Sequence, residues 1–146
     1  MKETISCLLI CVTALFGEAQ ADPSWNVRHN NKMLLRSSEE DAVKNTIPIR
    51  LSDFNEKGSF IITYTNTRTG NEAKKWVRTI ALFTEADSVL YSKKSCSLKV
   101  ADTDLKKMLQ QNRIIKVYTW AVPKDPAQAA RVRIRRVHLC TFELNQ

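Results

Sequence analysis

Apolar and polar positions divide the chain into an apolar leader and a long run of short alternating segments. Ile5 to Phe16 is apolar except for Ser6 and Thr13; Lys2 precedes it and Ala19-Gln20-Ala21 follows it. A charged start, an apolar core and a small-x-small end make the pattern of a cleaved secretory signal peptide, and the core is shorter than the ~20 residues a spanning helix needs. Residues 1–21 are expected to be removed near Ala21, leaving residues 22–146 as one secreted or periplasmic domain without a membrane span. A lipid anchor fits poorly, because Ile10 is bulky before Cys11 and Cys7 comes too early.

After the leader, period two dominates. The stretch from Asp22 to Asn31 is polar and reads as loosely held, with Trp25 and Val27 as anchors. Strands are expected at Lys32 to Arg36, Thr46 to Leu51, Phe60 to Thr67, Trp76 to Thr84, Ser88 to Ser92, Ser97 to Val100, Ile114 to Val122 and Arg131 to Glu143. Their apolar positions alternate or are β-branched and aromatic, and turn residues separate them. Pro48 marks an edge strand. Leu105, Met108 and Leu109 recur at helical spacing behind Asp102, predicting one short helix over 103–111 with Asp102 as its cap. Asp125 and Pro126 open a single further turn. The expected class is all-β, an antiparallel β-sandwich of the jelly-roll or immunoglobulin-like kind.

Removing the leader changes the composition in two useful ways. Lys plus Arg falls from 23 to 22 and Asp plus Glu from 15 to 13, so the formal net charge rises from +8 to +9. Of four cysteines only Cys96 and Cys140 remain, and in a compartment where disulfides persist they are expected to pair. No CxxC spacing supports zinc or redox chemistry, and His29 and His138 stand far apart, each reading as a surface residue rather than a ligand. Glu39, Glu40 and Asp41 read as an acidic turn, since a metal site would need more oxygen ligands. No metal and no cofactor is expected.

The last two strands carry the candidate surface. In Ile114 to Val122, Ile115 and Val117 share one face while Lys116, Tyr118 and Trp120 share the other. In the final strand Val132 and Ile134 oppose Arg131, Arg133 and Arg135. A hairpin with Ile115, Val117, Val132 and Ile134 in the core would gather Lys116, Tyr118, Trp120, Arg131, Arg133 and Arg135 on one outer face. Val137 and Leu139 fall on the arginine parity, so a β-bulge at Arg135 and Arg136 is expected to return them to the core, turning His138 and Cys140 outward. Trp76, beside Lys74, Lys75 and Arg78, is expected to anchor the core.

Aromatic faces stack on sugar rings and guanidinium groups pair with carboxylate, sulfate or phosphate. At pattern level these last strands resemble the closing strands of jelly-roll carbohydrate-binding modules, which implies a fold and leaves the ligand open. The expected function is noncatalytic binding of an anionic glycan or an envelope protein. A small secreted hydrolase acting on cell-wall or extracellular polysaccharide is the alternative. It would need carboxylates or a nucleophile, base and orienter converging in space, since no GxSxG or HExxH is present. Nucleic acid suits the charge but not the compartment.

Overall fold

A computed structural model describes residues 22–146; the proposed leader, 1–21, lies outside them. Among these described residues nine strands form two sheets. They are β1 (Ser24–His29), β2 (Lys32–Ser37), β3 (Thr46–Ile49), β4 (Ser59–Thr65), β5 (Trp76–Thr84), β6 (Val89–Lys93), β7 (Ser97–Ala101), β8 (Ile114–Pro123) and β9 (Val137–Leu144). Three helices interrupt them: α1 (Gly70–Lys74), α2 (Asp102–Asn112) and α3 (Pro126–Ala129), with a 3-10 turn at Leu51–Asp53. The four-stranded sheet has the order β2-β1-β4-β7 and the five-stranded sheet β3-β9-β8-β5-β6. Neighbours run antiparallel except β3, which pairs with β9 in parallel and makes an edge, as Pro48 requires.

Alternation builds the core. In β4 Phe60, Ile62 and Tyr64 turn inward, and from β8 Ile115 and Val117 meet them across the gap between the sheets. Leu105 and Leu109 bring α2 against the same apolar cluster. The polar stretch expected to be loose is instead β1, a central strand whose Trp25 and Val27 are almost wholly buried. Its polar residues Asn26 and Arg28 occupy the other face, so an ordinary two-sided strand had resembled a tail. Trp76 carries Arg68 over its ring at 4.0 Å and stays outside the core cluster; Trp25 is the core tryptophan.

The expected Cys96–Cys140 disulfide is absent, and both thiols are free. The cause lies in β9. The bulge falls at Leu139 rather than at Arg135 and Arg136: Val117 pairs with Cys140 and Tyr118 with His138, leaving Leu139 unmatched. Cys140 therefore turns inward opposite Val117 and is fully buried, while Cys96 is exposed at the start of β7 in the other sheet. Burial pushes the Cys140 thiol far up, since a thiolate there would be desolvated without a partner. The Leu139 carbonyl accepts a 2.7 Å hydrogen bond from the Trp25 indole, which ties the two sheets together through the bulge.

Asp102 does not cap α2. The N-cap position is Ala101, without a side-chain bond, and the Asp102 carboxylate turns into the protein to meet His29 Nε2 at 2.8 Å and the Asn55 N–H at 2.8 Å. His29 is accordingly no free surface residue; its ring also lies flat on Phe60, 4.1 Å between centroids.

Candidate ligand-binding surface

Alternation along β8 places Lys116, Tyr118 and Trp120 together on the outer face of the five-stranded sheet, opposite the buried Ile115, Val117 and Thr119. Beneath them Phe83 of β5 is 5% exposed. Tyr118 meets Phe83 edge-on at 5.5 Å, and Trp120 leans over it at 6.2 Å. This cluster is a packed aromatic layer, and only part of it faces solvent.

Arg131, Arg133 and Arg135 do not join that face. The final strand begins at Val137, and residues 131–136 form an irregular, largely exposed connection in which Val132 and Ile134 also face water. The reason follows from register. Thr119 and Val137 are the last pair, so continuing β9 backward would set Arg135 opposite Ala121 on the inner face. Arg78 already occupies that side of Ala121, with its guanidinium 4.0 Å above the Tyr64 ring and its Nη1 donating to Thr119 Oγ1. Burial pulls the Arg78 pKa down. A second cation beside a half-buried first one would be desolvated and repelled, so the chain leaves the sheet.

Two ion pairs fix where it leaves. Arg135 pairs with Glu40, whose carboxylate also accepts the His138 N–H at 2.7 Å. Arg136 crosses the outer face instead: its guanidinium lies 5.0 Å from the Phe83 ring and 4.9 Å from the Tyr118 ring, and it grips Asp87 through two bonds of 2.9 and 3.1 Å. The hydrogen bonds from Arg136 hold the Asp87 carboxyl below its ordinary range. His138 does face outward, in edge contact with Tyr118 at 5.5 Å and hydrogen-bonded to Thr141 Oγ1 at 2.9 Å. Burial lowers its pKa, with the Glu40 charge opposing. Tyr118 is thus already covered by a cation of the chain itself.

Trp120 is placed differently. It borders an open groove of about 560 Å³ that also takes in Lys94 and Lys124, the hydroxyl-bearing Thr79 and Ser92, and Val122. The β5–β8 register explains the gathering: Thr79 pairs with Trp120 across the sheet, and Ser92 of β6 follows on the same face through Ala81. Neither lysine was legible as part of a site, because each lies just beyond a strand end and is brought in by sheet order. The groove combines an aromatic plane, two point charges and two small hydroxyls.

Among the described residues no three His, Cys, Asp or Glu side chains gather as a metal site needs, and no helix is long and apolar enough to cross a membrane. Comparison with protein-family models, curated proteins and solved structures finds no match to the chain.

Proposed function

We propose that the chain is a secreted or periplasmic noncatalytic binding protein, built on a jelly-roll or immunoglobulin-like sandwich, that takes an anionic glycan in the Trp120 groove. The observation that carries this reading is that Trp120, Lys94 and Lys124 line one open groove on an otherwise packed sheet face. An indole plane offers stacking to a sugar ring, the ammonium groups offer charge to a carboxylate or sulfate, and Thr79 and Ser92 offer hydrogen bonds to hydroxyls. A net charge of +9 after cleavage would draw a polyanion toward the surface. The groove lining carries no Asp or Glu, whereas glycoside hydrolysis usually employs a pair of carboxylates. Binding is therefore the better reading of this face than the hydrolase alternative.

The test compares a polyuronate oligosaccharide with a neutral glucan of equal length by calorimetry. Trp120→Ala and the double variant Lys94→Ala/Lys124→Ala should each weaken polyuronate binding about tenfold, equivalent to roughly 1.4 kcal/mol, the lysine variant with an unchanged melting temperature and the tryptophan variant still folded at the assay temperature. Equal affinity for the neutral glucan, or full affinity in Trp120→Ala, would remove the groove as the site.

A further inference from the structure

The five-stranded sheet ends at β6, which pairs only with β5, so one row of its N–H and C=O groups points away from the sheet. The opposite edge, β3, carries Pro48, which has no N–H to donate. Edge strands are ordinarily kept polar, and Lys93 serves that end at the last position of β6. The rest of the strand departs from the rule. Among the described residues three large hydrophobic side chains on strands are exposed, and two of them, Val89 at 57% and Tyr91 at 44%, stand on β6.

A cavity of about 380 Å³ lies beside this edge, between β6, β7 and α2. Tyr91 pairs with the buried Leu82 and therefore lies on the inner face of the sheet, while the bulge between Leu82 and Phe83 leaves Leu90 unmatched. Leu90 and Tyr91 line the cavity from β6, Lys99 from β7, and Asp104, Lys107 and Met108 from α2. Leu105 and Leu109 take α2 into the core, but Met108 and Leu90 are only partly buried against it. Neighbouring strands share their faces, so a sixth strand laid along β6 would project its inner row of side chains over this cavity.

Charge decides the occupant. Lys99 and Lys107 make no ion pair among the described residues, and Asp104 is the single carboxylate in the lining. A second copy of the chain, with a net charge of +8, would bring like charge to the same edge. We propose that β6 takes an extended segment of an acidic partner protein as a sixth strand, with an apolar side chain over Leu90, Tyr91 and Met108 and carboxylates beside it reaching Lys99 and Lys107. Backbone bonds to β6 supply affinity and the inner row of side chains supplies specificity. Ser92, on the outer face, belongs instead to the Trp120 groove.

The test uses a capped peptide, Thr-Glu-Thr-Leu-Thr-Glu-Thr, whose alternation sets Glu, Leu and Glu on one face, and follows the amides of the whole protein by two-dimensional NMR. The peptide should shift the amides of Val89–Lys93 saturably, and its fully N-methylated analogue, which cannot donate to a strand edge, should not. Replacing both Glu by Gln in the peptide, or introducing Lys99→Gln/Lys107→Gln in the protein, should weaken binding about tenfold; both lysines are exposed, so the fold is kept. Trp120→Ala should bind the peptide as the wild type does. Absence of saturable shifts at β6, equal binding of the N-methylated analogue, undiminished affinity in the lysine variant or loss of binding in Trp120→Ala would overturn the proposal. So would broadening of the β6 amides that grows with protein concentration in the absence of peptide, which would assign the edge to a second copy.

Discussion

At the scale of single residues, Asp102 shows how far a side chain can depart from its local signal. Standing before a helical periodicity, it reads as a cap, yet its carboxylate bonds His29 across 73 positions of sequence. Helix capping is a local rule, and the alternative partner comes from the end of β1, which no spacing along the chain connects to it. Asp102→Ala is expected to destabilise the fold by about 3 kcal/mol, because it strands both the His29 and Asn55 N–H groups. Gly58→Ala should cost about 2 kcal/mol, since the added methyl group overlaps the same carboxylate. Chemical denaturation of the two variants checks both values; wild-type stability in either would mean that the carboxylate does not hold this corner.

His138 gives a pH dependence whose sign can be worked out. Burial depresses its pKa below the ordinary 6.5, so the unfolded chain binds the proton more readily than the folded one. Stability is then highest above pH 6.5 and falls as the pH drops from there toward the lowered folded value. Denaturation midpoints measured from pH 7.5 to pH 5 should decline, and His138→Gln should flatten the decline. An identical slope in the variant would assign the acid sensitivity elsewhere.

At the scale of elements, alternation along β4, β5 and β8 was legible because each has one core face and one outer face. The helix was legible through Leu105, Met108 and Leu109. What alternation could not locate was the bulge. Moving it from Arg135 and Arg136 to Leu139 leaves Val137 inward and His138 outward as expected, but it turns Cys140, which follows the bulge, inward and would send Arg135, which precedes it, inward too. The same shift removed the arginines from the candidate surface and broke the expected disulfide. If inner-face charge is what ends β9 at Val137, replacing both Arg133 and Arg135 by Val should let the strand grow beside Ala121 and Pro123. Hydrogen exchange at amides 133–135 should slow several-fold; unchanged exchange would show that the α3–β9 connection, and not the charge, sets the strand's start.

At the scale of the whole molecule, period two and turn residues were enough to indicate two β-sheets, but not their order or the parallel β3–β9 pair. Sheet order is a long-range property, and here it brings Thr79, Ser92 and Trp120 onto neighbouring strands beside Lys94 and Lys124. Only Trp120 of that group was readable in advance as a ligand residue. The two sheets are held by the shared core and the Trp25–Leu139 bond, without a disulfide between Cys96 and Cys140. Of Cys96 and Cys140, a thiol reagent should therefore reach only Cys96 in the native protein and both in denaturant, and reductant should leave the melting temperature unchanged. Blocked thiols that appear only after reduction would contradict this arrangement.

The central claim, that the outer groove of the five-stranded sheet is the place where an anionic sugar chain binds, is met most directly by mapping amide and indole shifts on titration with a polyuronate oligosaccharide. The perturbations should centre on the Trp120 indole, Thr79 and Ser92 and fade toward Tyr118, which Arg136 already covers. Shifts centred on Arg131 and Arg133, or scattered over the basic surface without saturation, would contradict it.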